Sequence, residues 1–267
     1  LLLSLLPGLE EESGEFFDRV VGLLDQIATS VGREFFLQTT WLVLISSQPI
    51  RLSALNYLAR RMAKLKGSKA DPEVSIDQSE TSVDIVEDEG IPLTSLRPGL
   101  LVRGFMHTLG DDSLLVRRNA LDFLVSHLPL ASQAFSEVAP GDRVLLIDAA
   151  ISAVLRRDIS LNRRLYAWLL GANDDEDTQQ AYFVQHALPY ATSALRTAMQ
   201  VKPSDAAAVQ RPYKILVSLM DKSAVGQPLL RAIILDAFHA LVHDTHLNPS
   251  SELFPTAQML FEAVDTF

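Results

Sequence analysis

The sequence contains no cysteine among its 267 residues. This excludes disulfide bonds, thiolate metal ligands and cysteine nucleophiles, because each of them needs a cysteine sulfur. Long apolar runs are also missing, since the longest unbroken one, Trp41 to Ile45, is far below the ~20 residues of a membrane-spanning helix. The opening Leu1 to Leu6 lacks the basic region and cleavage site of a signal peptide. We therefore expect a cytosolic chain without a transmembrane segment.

Basic charge is scarce as well. The chain has 23 Lys and Arg residues against 33 Asp and Glu residues, which gives a net charge of -10. Eight acidic residues and no basic ones lie between Asp71 and Glu89, so removing this tract leaves -2 for the rest. A nearly neutral body has no concentrated basic face, which argues against nucleic-acid binding. The tract itself predicts an acidic, disordered insertion at about residues 67–97.

Strand patterns are scarce, whereas apolar residues at helical spacing run through most of the chain. The pattern predicts about eleven helices, each ending near Gly, Pro, Ser or Asp. They are expected at residues 13–30, 33–47, 49–66, 98–109, 113–128, 142–157, 161–170, 178–201, 204–222, 227–244 and 250–267. Pro49 and Pro228 are well placed for the first turn of a helix. We expect one all-α domain over residues 1–267.

An arginine lies within the apolar stripe of one predicted helix. At 100° per residue, Arg117 shares an arc with Leu114 and Leu121 and therefore points toward the core. Burying a guanidinium without a partner costs several kcal/mol, so a neighbour must supply a carboxylate or free carbonyl oxygens. Asp111 and Asp112, just before the helix, are the candidate carboxylates.

The same arrangement recurs at Arg51 and Arg231, while Asn162 occupies the arginine position of a degenerate fourth copy. The intervals between successive copies are 66, 45 and 69 residues. The middle interval matches the period of about 40–47 residues of HEAT repeats, and the first matches if the acidic tract is an insertion. The sequence thus predicts an irregular HEAT/armadillo-like α-solenoid. Its structural arginines would be Arg51, Arg117 and Arg231.

Patterns typical of enzymes and metal sites are weak. The chain has no GxSxG, Walker or dinucleotide-binding motif, so we expect no catalytic residues and no cofactor. The best nominal metal cluster is His239, His243 and His246 with Asp244. These residues lie near the end of a helix, where cationic side chains interact favourably with the helix dipole. We therefore predict no metal site.

Four stretches carry a resemblance to a known family. They begin with LLLSLLPGLEEESGEFFDRV at Leu1 and continue with Arg51–Leu58, Leu124–Leu130 and Asp158–Gly171. Together they lie in chain order and resemble the N-terminal region of the Dopey family of trafficking proteins. The resemblance covers Leu1 to Gly171, and little is recognisable beyond it.

The resemblance implies a protein–protein interaction scaffold that belongs to a large peripheral membrane protein. Such a protein would act in protein transport, on the cytoplasmic face of Golgi and endosomal membranes. Its implied partners are a large Golgi scaffold related to Arf exchange factors, a phospholipid flippase, and motor or cargo components. No catalytic residue is implied.

Within the last family-like stretch, Arg163 and Arg164 accompany Tyr166 and Trp168, which are residue types enriched in binding hot spots. We predict a partner-binding role for Arg163 and Arg164, although either arginine could instead be solvated or paired with Asp158. Two alternatives remain for the whole chain. One is an unrelated HEAT-repeat scaffold. The other is a lipid-surface-binding adaptor, if Arg60, Arg61, Lys64 and Lys66 cluster.

Overall fold

A computed structural model describes residues 1–10, 14–62, 98–201, 205–247 and 253–265. These ranges contain α-helices and short 3-10 turns, which confirms the predicted all-α solenoid. The predicted acidic insertion lies outside the described residues, and so do Lys64 and Lys66. The fourteen described helices are α1 (Leu2–Leu5), α2 (Phe17–Val31), α3 (Arg33–Ser46), α4 (Arg51–Arg61), α5 (Pro98–Leu109), α6 (Leu114–His127), α7 (Gln133–Glu137), α8 (Pro140–Ile151), α9 (Ile159–Leu170), α10 (Glu176–His186), α11 (Leu188–Gln200), α12 (Ala206–Met220), α13 (Ser223–Leu247) and α14 (Leu253–Asp265).

The predicted number of helices was too low for a physical reason. A single helix was expected over residues 178–201, but the structure has α10 and α11 with a break at Ala187. Pro189 lies in the first turn of α11, where its missing N–H and its ring would disrupt a continuous helix. The other two additions, α1 and α7, span four and five residues, which is too short for a clear periodic pattern.

The expectation for Pro228 was wrong. α13 begins at Ser223, so Pro228 lies inside the helix rather than in its first turn. A segment of this helix, Ser223–His243, is long and apolar enough to cross a bilayer by length and composition. However, Val225, Leu229, Ile233 and Ala237 at helical spacing are buried against neighbouring helices. One face of α13 therefore packs in the core, and 39% of the segment is buried overall.

The helices stack in two layers along the chain. In one layer α3 packs against α5, α5 against α8, and α8 against α11, while in the other α4 packs against α6 and α6 against α9. Farther along, α13 packs against α10, α11 and α12, and α12 also contacts α14. One connected set of buried apolar residues runs from Leu6 to Leu260. The two-layer stack places the N-termini of α4, α6 and α9 side by side.

Aromatic side chains join the two layers in the first half of the stack. Trp41 on α3 contacts Phe105 on α5 and Phe123 on α6, with ring centroids 5.4 Å and 6.0 Å away. Gly104 allows this approach, because a Cβ atom there would lie 2.4 Å from the Trp41 ring. The sequence Gly104-Phe105 therefore sets the distance between α3 and α5.

Candidate interaction surface

Two of the three predicted structural arginines meet at one aspartate. Arg51, at the start of α4, donates from Nη1 to the Asp111 carboxylate at 2.6 Å and from Nε to the Leu44 carbonyl at 3.0 Å. Arg117 on α6 donates from Nε to the Asp111 backbone carbonyl and from Nη2 to the Gly110 carbonyl at 3.2 Å. Asp111 therefore connects two successive repeats, and its side chain is almost fully buried.

The partner of Arg117 differs from the expected carboxylates. Its described hydrogen bonds go to backbone carbonyls of the loop before α6, because the Asp111 carboxylate is taken by Arg51 and by the backbone N–H of Ser113. Burial lowers the pKa of Arg117, and nearby Arg156 lowers it further, while Asp112 and Asp111 oppose the shift. The guanidinium therefore satisfies free carbonyls, which was the other option open to a buried arginine.

Arg231 does not share this geometry. It lies on the exposed side of α13 and has no hydrogen-bond or ion-pair partner among the described residues. Arg51 and Arg117 are the first and fourth residues of their helices, so Arg51 reaches the last carbonyls of α3 and Arg117 reaches the loop before α6. Arg231 is the ninth residue of α13, because that helix begins earlier than predicted. Loop carbonyls are consequently out of its reach.

Amide side chains form a second set of contacts between repeats. Asn119 on α6 donates from Nδ2 to Oδ1 of Asn56 on α4 at 3.0 Å, and Asn56 donates to the Leu9 carbonyl at 3.4 Å. Nearby, the ring nitrogen Nε2 of His127 lies 3.1 Å from the Ala59 carbonyl. These contacts align polar groups along the surface formed by α4 and α6.

A groove of about 780 Å³ lies between α2, α4 and α6, and we call it the α2–α4–α6 groove. Its floor is apolar and buried, with Phe17, Leu55, Met62 and Phe123 each at most 5% exposed. Its rim is polar and carries charges of both signs. The rim residues are Asp18, Asn56, Arg60, Arg61, Asn119, Asp122 and Ser126. Such a site can accept an apolar side chain while its rim binds polar backbone groups.

The wall of the groove is held by ionic contacts between α2 and α4. Asp25 accepts from the Tyr57 hydroxyl at 3.1 Å and from Arg61 Nε at 2.9 Å. Burial and the neighbouring Asp25 charge raise the pKa of Tyr57, so its hydroxyl remains a donor. Arg60 lies over the Phe17 ring, with 4.9 Å between Cζ and the ring centroid. Both arginines therefore pack against α2.

The predicted partner-binding arginines have different surroundings. Arg164 on α9 donates from Nε to both Asp122 carboxylate oxygens, at 2.8 Å and 2.9 Å, and so joins α9 to the groove rim. Arg163 is exposed and has no ionic or hydrogen-bond partner among the described residues. Leu165, Trp168 and Leu169 are buried in the core. Arg163 is therefore available to a partner, whereas Arg164 positions Asp122.

The predicted site residues did not include the groove itself. Its lining residues come from three helices, and the hydrogen bond between Asn119 and Asn56 spans 63 positions in the sequence. No local motif could have grouped these residues. Helical periodicity assigns each side chain to a face of its own helix, but it does not show that Asn56 and Asn119 meet.

The described histidines of the nominal metal cluster lie on α13, which contributes no residue to the α2–α4–α6 groove. His239 and His243 line a smaller pocket of about 400 Å³ with Arg196 and Asp236, which bond at 2.6 Å. The side chains of His246 and Asp244 lie outside the described residues. Within the described part of the chain, no group of three or more metal-ligating side chains forms a site.

Comparisons with known proteins add sequence relatives to this geometry. The family model described as "Dopey, N-terminal" matches residues 1–174, and the one described as "DOP1 middle TPR domain" matches residues 182–267. "Protein dop1" of Emericella nidulans is 31% identical over 100% of this chain, and the match covers 17% of that protein. "Protein DOP1B" of Mus musculus is 31% identical over 91% of this chain, which covers 11% of the mouse protein.

A further relative, "Protein DOP1" of Saccharomyces cerevisiae, is 26% identical over 100% of this chain and is covered over 18% of its own length. The chain therefore spans less than a fifth of the curated relatives it matches here. No solved structure gives a significant match.

Proposed function

This chain belongs to the Dopey family, and from that premise we propose that it is a protein–protein interaction scaffold within a peripheral membrane protein. The protein would act in transport between Golgi and endosomes, on the cytoplasmic face of these membranes. The match over residues 1–174 confirms the resemblance carried by the four stretches of sequence. The scaffold would work by binding partners without catalysis.

The observation that supports this proposal most directly is the α2–α4–α6 groove. It combines a buried apolar floor with a polar rim, and its walls are held by contacts such as Asp25 with Arg61. A preformed site loses little conformational entropy on binding, which favours recognition of a flexible partner segment. The groove therefore suits an extended peptide that places one apolar side chain on the floor.

The rim indicates how such a peptide would be oriented. Asn119 uses one amide N–H for Asn56, so its second N–H and its oxygen can bind a peptide backbone. Asp18 is exposed and has no ionic partner among the described residues, which favours a basic residue beside the apolar anchor. The exposed Arg163 extends the surface beyond Asp122 and Arg164. We propose that partner segments bind along the groove rim and continue toward Arg163.

The candidate partners are a large Golgi scaffold related to Arf exchange factors, a phospholipid flippase, and motor or cargo components. Family membership is the support for these partners. The alternative of a lipid-surface adaptor is less favoured, because Arg60 packs over Phe17 and Arg61 pairs with Asp25. Two of the four basic residues that it needs are therefore engaged within the protein.

Crosslinking of the full-length protein, purified from cells, would test the proposal. We expect Golgi or endosomal proteins to crosslink to peptides that line the groove. Ser126→Arg places a large charged side chain in the groove and should reduce these crosslinks about tenfold, as expected for loss of a binding hot spot. The matched control is Ser193→Arg, at an exposed position of α11 outside the groove.

Two results would contradict the proposal. One is that no Golgi or endosomal protein is crosslinked to the groove peptides. The other is that Ser126→Arg and Ser193→Arg give the same crosslinks, provided that circular dichroism shows both variants to be folded. Either result would leave family membership intact but remove the groove as the binding site.

A further inference from the structure

The segment that leads into α9 carries a charge pattern of the kind that protein kinases recognise. Arg157 precedes Ser160 by three residues, and no other serine or threonine of the sequence has an arginine at that position. Arg156 adds a second positive charge beside it. Kinases select their substrates by such charges near the acceptor hydroxyl. The pattern therefore singles out one serine of the chain.

This segment lies on the surface of the protein. Arg156 and Arg157 are exposed, Ile159 is 87% exposed, and Ser160 is partly exposed. The Arg157 backbone is left-handed, with φ of 51°, where the chain turns from the preceding 3-10 turn toward α9. Ser160 is the second residue of α9, and the end of a helix opens at a low free-energy cost. A kinase can therefore reach Ser160 by opening one helical turn.

Two guanidinium groups flank Ser160. Its carbonyl accepts from Arg164 Nη1 at 3.1 Å, and its hydroxyl donates to Asp158 Oδ1 at 2.6 Å. The other carboxylate oxygen of Asp158 accepts from Arg118 Nη2 at 3.2 Å. Arg163, three residues after Ser160 on α9, is exposed and has no ionic partner among the described residues. A negative charge on the Ser160 side chain is thus surrounded by arginines.

We propose that Ser160 is a phosphorylation site. In the reaction, Ser160 Oγ attacks the terminal phosphorus of a nucleoside triphosphate held by the kinase. The Oγ–P bond forms, the bond from that phosphorus to the bridging oxygen breaks, and a nucleoside diphosphate leaves. The hydroxyl proton passes to a base of the kinase. The product carries a charge of about -1.5 to -2 at neutral pH.

The phosphate redirects Arg164. In the unmodified protein, Arg164 donates from Nε to both carboxylate oxygens of Asp122, at 2.8 Å and 2.9 Å. Ser160 lies four residues before Arg164, which is the helical spacing at which an anion and a cation attract. The phosphate carries more charge than the Asp122 carboxylate, and repulsion by Asp158 directs it toward Arg164. Asp122 then remains as an unpaired carboxylate on the rim of the α2–α4–α6 groove.

Kinase treatment of the full-length protein tests the site. The protein is incubated with Mg²⁺, ATP and a kinase that selects arginine three residues before serine, and phosphate is located peptide by peptide with mass spectrometry. We expect phosphate on Ser160, and an initial rate at least about tenfold lower in Arg157→Gln, through loss of a charge-assisted contact with the kinase.

The matched control is Ser132, which is also partly exposed at the start of a helix but has no arginine three residues before it. It should stay unmodified. The proposal would be overturned if Ser160 stayed unmodified, if Arg157→Gln reacted at the parent rate, or if Ser132 reacted as fast as Ser160.

Carboxyl labelling tests the movement of Arg164. Asp122 is labelled with a carbodiimide and an amine, and its labelling rate should rise roughly two- to fivefold on phosphorylation, the range expected for loss of a partly exposed ion pair. Asp236 is the control, because its side chain is 47% exposed against 51% for Asp122 and it pairs with Arg196. Neither Asp236 in the parent nor Asp122 in kinase-treated Ser160→Ala should change.

Unchanged labelling of Asp122 in protein phosphorylated at Ser160 would overturn the redirection of Arg164. An equal rise at Asp236 would also overturn it, since the effect would then not be local. Both measurements report on Ser160 and Asp122 themselves, so neither depends on whether the groove binds a partner.

Discussion

The first half of the stack, α3 to α9, and the second half, α10 to α14, join their repeats by different contacts. In the first half, Arg51 and Arg117 are largely buried. Arg51 bonds to a carbonyl in the last turn of α3 and to the Asp111 side chain, and Arg117 bonds to carbonyls of the loop before α6. In the second half, Arg231 is exposed, and Arg196 bonds to Asp236 in a half-exposed pair. The comparison teaches that the two structural arginines lie in the first turn of their helices, within reach of carbonyls that precede the helix, whereas the exposed Arg231 lies farther along its helix.

The largest effect should come from removing one arginine from each half. Arg117→Ala leaves the Gly110 and Asp111 carbonyls without their donor, at about 1–3 kcal/mol for each unsatisfied acceptor, and should lower the free energy of unfolding by roughly 2–5 kcal/mol. Arg231→Ala removes an exposed side chain and should change the free energy of unfolding by less than about 0.5 kcal/mol. Urea unfolding of both variants measures the difference. Equal midpoints would refute the contrast between the two halves.

Asp111 sharpens the comparison within the first half. Asp111→Asn removes the charge that receives Arg51 at 2.6 Å and should cost about 1.5–3 kcal/mol. The matched control is Asp112→Asn, because Asp112 is exposed and lies 3.8 Å from Arg156. We expect the control to stay within about 0.5 kcal/mol of the parent chain in the same urea titration. If both variants lost the same stability, the shared aspartate would not be what connects the repeats.

Packing of the first half can be tested at a glycine. Gly104→Ala places a Cβ atom 2.4 Å from the Trp41 ring and should cost ~1–3 kcal/mol through overpacking between α3 and α5. Gly22→Ala is the control, because a Cβ atom there meets nothing within 4 Å. Since alanine favours a helix interior, Gly22→Ala should stabilise α2 by about 0.5–1 kcal/mol. Opposite shifts in melting temperature are therefore expected, and a loss in both variants would contradict this assignment.

The smallest effect should be a change in the thermal stability of the protein at low pH, through Asp158. Hydrogen bonds from the Ser160 hydroxyl and the Leu161 N–H, with Arg118 nearby, lower the pKa of Asp158 to about 2. Because the pKa of Asp158 is lower in the folded protein than the value of about 3.9 in the unfolded chain, its ionised carboxylate stabilises the fold at pH values above about 3.9. This stabilisation is lost as the pH falls toward 2. Asp158→Asn should therefore show a smaller fall in Tm between pH 4 and pH 2.

Asp175 supplies the corresponding test in the second half. The hydroxyl and N–H of Thr178 lower its pKa, but no arginine contributes, whereas Asp158 also contacts Arg118 of the preceding repeat at 3.2 Å. Salt screens the charge of Arg118. Adding salt should therefore reduce the contribution of Asp158 to the fall in Tm at low pH more than it reduces the contribution of Asp175. Identical salt responses in the two Asp→Asn variants would show that Arg118 adds nothing.

Much of the fold could be predicted from the sequence, because helical periodicity depends on neighbouring residues. The stripe that contains Arg117 also predicted correctly that this side chain points inward. Its acceptors could not be predicted, since they depend on the path of the Gly110-Asp111 loop and on competition from Arg51. The position of Arg231 was mispredicted because the helix continues N-terminally past Pro228 to Ser223.

The candidate site was less predictable than the fold. Arg164 was singled out, but its partner Asp122 lies 42 positions away on another helix. The groove floor combines Phe17 with Phe123, and only the stacking of α2, α4 and α6 brings these residues together. Periodicity shows which face of a helix is polar, but it does not show which polar faces become neighbours.

The double role of Asp111 has a mechanical consequence. A repeat stack with independent layers can come apart one layer at a time under tension. The Asp111 carboxylate accepts a hydrogen bond from Arg51 of α4, and its backbone carbonyl accepts one from Arg117 of α6. A force applied to α4 is therefore transmitted to α6. Stretching a single molecule should therefore extend these two helices in one step, while α13, whose Arg231 has no partner among the described residues, separates in another.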